Sequence, residues 1–249
     1  MEKALIIIPT YNEISNIDIL IKKIFDVTRD NEFNINYRVL IIDDNSPDGT
    51  GKRAEELSKI YPVSVIHRER KLGLGTAYIT GFKWALKNNF DYIYEMDADL
   101  SHDPVFLIEF IKEIKRSGAG CVIGSRFYQW RVSVTNWHLK RLLLSLLGHR
   151  YARFILGNMN IYDTTSGFKC FKKEALEKIN LEHIKSAGYI FQLELNYRLT
   201  KKNVKLIEIP IVFRDRECDA SKMSWYIVME GLWIPIKLRF LYAIKRQQF

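Results

Sequence analysis

The chain has 249 residues, 47% of them hydrophobic and 27% charged, and a formal net charge of +9. These proportions exclude wholesale disorder and leave ample apolar material for a core. Cys121, Cys170 and Cys218 are odd in number and far apart. They exclude a disulfide framework and a paired-thiol zinc site, and favour a reducing compartment. The N-terminal segment enters an apolar strand-like block at once, which predicts no secretory signal. No uncharged apolar run reaches about 18 residues, so no membrane-spanning helix is predicted.

Charge is uneven along the chain. Residues 1–124 carry a net −3 and residues 125–249 a net +12. A basic half interleaved with Trp, Leu and Phe calls for an anionic partner. Zinc-finger spacing, RNP-like aromatic motifs and long basic helices are all missing, so nucleic acid is not the expected partner.

In chain order, the uninterrupted apolar run 4–9 predicts a buried parallel strand. Ile17, Leu20, Ile21, Ile24 and Phe25 predict a helix over 15–27 with Ser15 as its N-cap. A strand at 37–42, a turn at 45–50, a helix at 52–60 and a strand at 63–67 follow. A helix at 76–87, a strand at 91–96, a helix at 104–116 and a strand at 120–124 complete the pattern. Strands alternating with helices predict an α/β fold, a mostly parallel Rossmann-like sheet flanked by helices. No linker separates the halves.

Ligands of open α/β sheets bind outside the carboxyl ends of the strands. Three acidic groups fall there: Glu13 after the first strand, Asp43 and Asp44 after the second, Asp97 and Asp99 after the fourth. Residues i and i+2 of an extended segment face the same way, so Asp97 and Asp99 can address one ligand. Close like charges need a compensating cation, and a hard divalent metal bridging to a diphosphate fits. The glycine patterns around Gly49-Thr-Gly51-Lys52 and Gly73-Leu-Gly75 fail both the P-loop and the dinucleotide fingerprint. The five histidines lack ligand spacing, and no nucleophile elbow exists.

Pro9-Thr-Tyr-Asn-Glu13, Asp43-Asp-Asn-Ser-Pro-Asp-Gly-Thr50, Leu72-Gly-Leu-Gly-Thr-Ala77 and Met96-Asp-Ala-Asp-Leu-Ser-His102 stand in order along the first half. Together they resemble the inverting nucleotide-sugar glycosyltransferases of the GT-A fold, family 2. Gly124-Ser-Arg-Phe127, Thr165-Ser-Gly-Phe168, Gly188-Tyr-Ile-Phe-Gln192, Ile209-Pro-Ile-Val-Phe213, Arg216 and Ser221-Lys-Met223 narrow the likeness. They resemble the polyprenyl-phosphate (dolichyl-phosphate) mannose synthases. The resemblance implies mannose transfer from GDP-mannose to a polyprenyl monophosphate, dependent on Mg or Mn.

By the same resemblance, Pro9, Tyr11, Glu13, Ile41 and Asp43 would line the guanosine pocket. Asp97, Ala98 and Asp99 would hold the diphosphate and metal, with Ser101 at a position where another branch has a coordinating Gln. Arg126, Arg141 and Ser145 would receive the lipid phosphate. Arg216 and Lys222 would reach the donor diphosphate from a loop in which Asp219 replaces the usual Gly. Asp99, Arg126 and Arg216 would carry catalysis. Alternatives stay open: a related transferase moving glucose or another sugar from a UDP-sugar to undecaprenyl phosphate, or a catalytically silent sugar-nucleotide-binding scaffold.

These motifs divide the chain into a catalytic domain at 1–222 (donor part about 1–124, acceptor part about 125–222) and a C-terminal segment at 223–249. Residues 139–156 and 225–244 mix Leu, Trp, Phe and Tyr with Lys and Arg. They predict amphipathic segments lying on a membrane surface, and hence a peripheral protein on the cytoplasmic face.

Overall fold

The computed structural model describes residues 1–135, 137–157, 159–184, 186, 188–214 and 225–244. The first half alternates as expected: β1 (Lys3–Thr10), α1 (Ile14–Thr28), β2 (Asn36–Asp43), α2 (Thr50–Leu57), β3 (Val63–His67), α3 (Leu74–Lys87), β4 (Tyr92–Glu95), α4 (Phe106–Ser117) and β5 (Cys121–Ser125). The second half adds β6 (Val134–Thr135), α5 (Leu139–Leu156), β7 (Lys169–Lys172), α6 (Lys173–Glu177), α7 (Gly188–Lys201), β8 (Leu206–Pro210), β9 (Phe213–Arg214) and α8 (Trp225–Ile244).

Among the described residues the main sheet has seven strands in the order β3-β2-β1-β4-β7-β5-β8. All pairings are parallel except those of β7, which runs antiparallel to both β4 and β5. Strand β7 escapes a search for apolar runs because it is four residues with Lys at each end. Its insertion, with β8 beyond β5, joins the second half to the first in one sheet. Strands β6 and β9 form a separate parallel pair.

Apolar runs become strands here because both faces are covered. Leu5, Ile7, Leu40 and Ile42 pack with Tyr78, Phe82 and Phe191 on one face. Ala4, Ile6, Ile8, Val39 and Ile41 pack with α1 and α4 on the other. Helix α1 begins one residue before the expected Ser15 cap. Glu13 holds the cap position, and its carbonyl accepts from the N–H groups of Asn16 and Ile17. The order reverses around β1, which lies between β2 and β4. Such a reversal opens a crevice at the carboxyl ends of these strands.

Candidate active site

The loops after β1 and β2 are stitched together. Asp43, 2% exposed, accepts from the Thr10 and Ser46 hydroxyls and from the Ser46 N–H. The N–H of Asn12 donates to Ser46 Oγ, that of Glu13 to Thr50 Oγ1, and that of Ile14 to Asp48. Asn12 and Asn45 take left-handed backbone angles, which asparagine tolerates better than most residues. Asp44 pairs with Arg68, which also donates to Thr76 and to the Gly73 carbonyl, tying in the loop before α3. Tyr11 is exposed, with Lys71 Nζ 4.1 Å from its ring centroid. Pro9, the penultimate residue of β1, lies beside Ile42 of β2. Ile41 is fully buried in the core beneath this loop cluster. A β-strand alternates its side chains between faces, so Ile41 supports the loops from below and does not line the surface.

Asp97 and Asp99 follow β4, but not on extended strand. The chain bends over residues 98–100, and Leu100 has φ +64°. Their relation is therefore set by a turn rather than by the pleat. Asp97 Oδ1 accepts from Tyr78 Oη at 3.2 Å, and its N–H donates to His102 Nδ1 at 3.1 Å. Asp99 Oδ1 accepts from the N–H and hydroxyl of Ser101. Ser101 is buried and spends its proton on Asp99, so it orients that carboxylate. Ala98 is buried between the two acids.

Among the described residues no group of three or more His, Cys, Asp or Glu side chains is placed to hold a metal ion. Two carboxylates at a strand end nonetheless suit Mg or Mn, which take one or two protein carboxylates and draw further oxygens from substrate phosphates. The donor set therefore fits such a cation together with a diphosphate.

One basic residue of the second half, Arg126, is built into a buried network. Arg126, at the end of β5, makes a bidentate pair with Asp163 (Nε to Oδ2 and Nη2 to Oδ1, both 2.7 Å) and donates to Thr165 Oγ1. Asp163 is fully buried. Burial would raise its pKa, but the attraction and hydrogen bonds of Arg126 hold its carboxyl well below the usual range. The N–H groups of Tyr162 and Asp163 donate to Glu208 of β8, fixing the loop.

Two guanidinium groups approach the Trp137 ring, that of Arg141 at 4.1 Å and that of Arg126 at 5.8 Å from its centroid. Its Nε1 is buried without a hydrogen-bond partner among the described residues. Arg141, Ser145 and His149 are spaced by four along α5 and share one helix face. Ser145 Oγ is 3.2 Å from His149 Nε2.

The acidic and basic clusters are neighbours. Loop 163–168 holds Arg126 at one end, and at the other a Cβ on Gly167 would lie 3.8 Å from Asp97 Oδ2. His102 stacks on Phe168 with centroids 4.7 Å apart and meets Phe213 edge-on; Arg126 also lies over Phe213. Arg216, Asp219 and Lys222 lie outside the described residues.

Sequence reasoning missed Asp163, His149 and Glu208, and also the fully buried Lys169 with Glu95 and Gln192. Lys169 Nζ hydrogen-bonds Gln192 Oε1 and lies 3.8 Å from Glu95. Burial pushes Glu95 up to about 7. None sits in a periodic pattern, and isolated polar residues give no local sign of burial. Gln192 closes one of the motifs that carried the resemblance, and Asp163 and Lys169 only flank another, Thr165–Phe168.

Helices α5 and α8 pack along each other: Tyr151 Oη donates to the Leu232 carbonyl and Arg239 to that of Ile155. Helix α8 turns Ile234, Leu238, Leu241 and Tyr242 to the core. Its other side exposes Met229, Leu232, Trp233, Ile236, Phe240 and Ile244. Helix α5 exposes Leu139, Leu143, Leu144, Leu147 and Phe154 beside Lys140 and Arg150. No described helix is long and apolar enough to cross a membrane.

A Rossmann-like, mostly parallel sheet flanked by helices, with paired carboxylates after β4, is the architecture of the GT-A fold, and structural comparison agrees on the fold. A mannosyltransferase from Pyrobaculum calidifontis, solved with GDP-mannose and Mn2+, superposes with TM-score 0.62 at 16% identity, over 97% of this chain and 64% of that one. Glucosyl-3-phosphoglycerate synthase from Mycobacterium tuberculosis, solved with Mn2+, UDP and phosphoglyceric acid, gives TM-score 0.68 at 14% identity, over 98% and 79%. The profile of Glycosyl transferase family 2 matches residues 5–180. The chain belongs to this family. It is 39% identical over 234 residues to the polyprenol monophosphomannose synthase of Mycolicibacterium smegmatis, covering 93% of this chain and 85% of that protein. It is equally similar to the undecaprenyl-phosphate mannosyltransferase of Micrococcus luteus, covering 92% and 91%.

Proposed function

We propose that this enzyme transfers mannose from GDP-mannose to a polyprenyl monophosphate, with inversion at the anomeric carbon, on a membrane surface. The observation that carries the reading is loop 163–168, which borders the carboxylate pair at one end and the Arg126 cluster at the other. A sugar diphosphate held by the first would face an anionic acceptor held by the second. The names of the two relatives at 39% identity, a polyprenol monophosphomannose synthase and an undecaprenyl-phosphate mannosyltransferase, support mannose as the sugar and a polyprenyl phosphate as the acceptor.

In this reading Pro9, Tyr11, Glu13 and Asp43 bound the guanosine pocket, and Asp97 and Asp99 hold the cation. Mg or Mn, when bound, supplies positive charge to the departing GDP. Arg141 and Ser145, with Arg126 behind them, receive the acceptor phosphate, and Arg216 and Lys222 add positive charge at the donor. A phosphate monoester has a second pKa near 6 and is mostly dianionic at pH 7, so it attacks without a general base. The remaining difficulty is repulsion. Two unit charges about 4 Å apart interact by about 4 kcal/mol at an effective dielectric near 20. Preorganised cations offset that term and supply much of the rate.

The exposed face of α5 and α8 supports membrane docking, because an apolar patch of this breadth rimmed by cations suits an anionic lipid surface. Arg141 and Ser145 lie within a turn of the exposed Leu143, Leu144 and Leu147. A phosphate on their face of α5 would therefore sit at headgroup depth while its chain stays in lipid. The proposed location is the cytoplasmic face.

Incubation with GDP-mannose, a short polyprenyl phosphate and Mg or Mn is expected to yield β-linked lipid-phosphate mannose. A product formed with UDP-glucose alone, or none with any donor, overturns the reading. Asp99→Ala is expected to lower turnover at least about a hundredfold with an unchanged circular dichroism spectrum. Near-normal turnover by that folded variant removes the cation role.

A further inference from the structure

We infer that His149 is a positioning residue that turns Ser145 into a hydrogen-bond donor aimed at the acceptor phosphate. The inference rests on the acceptor site just proposed.

His149 is 3% exposed, on the inner face of α5. Its Nδ1 meets two groups of Thr164: the backbone N–H at 3.2 Å and the hydroxyl at 2.9 Å. A backbone N–H can only donate. Nδ1 must therefore be the bare, accepting nitrogen, since a proton there would point at the Thr164 N–H. Burial holds the ring neutral at working pH, its pKa pushed down to about 4 against the pull of Asp163. A neutral imidazole with a bare Nδ1 carries its one proton on Nε2.

That Nε2–H faces Ser145 Oγ at 3.2 Å, with Asp163 Oδ1 at 3.7 Å, beyond hydrogen-bond reach. Ser145 then accepts from His149, and its own proton is left to donate elsewhere. Arg141 sits one turn earlier on the same helix face, so an anion beside that guanidinium is a natural acceptor for the Ser145 proton. With the opposite tautomer, the serine would spend its proton on the ring and offer the phosphate only lone pairs. Asp163 contributes twice: it binds Arg126 through both oxygens and keeps a negative charge beside the Nε2–H.

Two measurements test this. The ring-nitrogen shifts of His149, in 15N-histidine-labelled wild-type protein and assigned by difference against His149→Gln, should report the Nε2–H tautomer. An Nδ1–H or fully protonated ring at pH 7.5 overturns the proposal whatever any variant does. In kinetics with a short polyprenyl phosphate, Ser145→Ala is expected to raise the acceptor KM about tenfold. The donor KM should stay unchanged. His149→Phe should match that rise, and the double variant should add nothing, because both remove one hydrogen bond. His149→Gln, whose amide can donate at the Nε2 position, should recover most of the loss. If Ser145→Ala leaves the acceptor KM unchanged, the acceptor reading fails at this position and the inference with it. If Ser145→Ala acts but a folded His149→Phe, checked by GDP binding, does not, or if the two effects multiply, the acceptor reading stands and the His149 inference falls.

Discussion

Arg126 shows how a single residue can be read correctly for its chemistry and incompletely for its role. As a lone arginine after a strand it looks like a ready anion ligand. In the structure it is bound by fully buried Asp163, so it neutralises an interior charge while lying among the groups proposed for the acceptor. Removing one partner of such a pair strands the other. Arg126→Ala is therefore expected to cost about 3–5 kcal/mol of stability as well as acceptor use. Adding Asp163→Asn should restore most of the melting temperature and leave the acceptor KM raised. Recovery of both in the double variant would make Arg126 purely structural. Glu13, Asp43, Asp97 and Asp99 were legible because strand ends announce themselves by the apolar runs before them. Asp163 and His149 were not, because their partners are distant in sequence: Glu208 meets Asp163 from 45 residues away.

At the scale of elements, close approach is enforced by small residues. A Cβ on Gly81 of α3 would lie 2.5 Å from Ile7 Cγ2 in the centre of β1. Gly81→Ala should push α3 off the sheet and cost about 1–3 kcal/mol. That corresponds to a fall in melting temperature of about 2–4 °C per kcal/mol for a chain of this size. An unchanged melting temperature would mean that the helix has room to shift. Helix α8 illustrates a different rule. The sequence reads as an amphipathic surface segment; the helix packs apolar side chains on the core, and its exposed side sets Met229, Leu232, Trp233, Ile236, Phe240 and Ile244 beside Lys237 and Arg239. Large apolar side chains exposed over this breadth with cations among them call for an outer cover, and the cover proposed here is lipid. Trp233→Ser with Phe240→Ser should weaken sedimentation with anionic vesicles about tenfold or more, leaving turnover on a detergent-dispersed short acceptor unchanged. Undiminished vesicle binding would move the docking surface elsewhere.

At the scale of the whole molecule, the buried titratable groups couple fold stability to pH. His149 is held neutral down to about 4 by burial, whereas the unfolded chain takes up that proton near 6.5. Between these values the unfolded state binds more protons, so this contribution is complete above about pH 6.5 and is lost as pH falls towards 4. Asp163, depressed by Arg126, adds further loss at still lower pH. Glu95, raised by burial, has the opposite slope and favours the folded state at lower pH. The difference in melting temperature between wild type and His149→Gln isolates the first term. It is expected to shrink in favour of the variant from pH 6.5 to 4; a difference independent of pH would show that His149 titrates normally.

The alternation of strand and helix in the first half, the strand-end carboxylates and the basic second half were settled by the chain itself, since each rests on short-range periodicity or on charge that any folded form must keep. Tertiary structure alone decided that β7 enters the sheet antiparallel between β4 and β5, that Ile41 sits beneath its loops, and that Arg126, Asp163, Ser145 and His149 form one network. Those outcomes depend on contacts between residues tens of positions apart, where burial and pairing are properties of the assembled fold and leave no local trace.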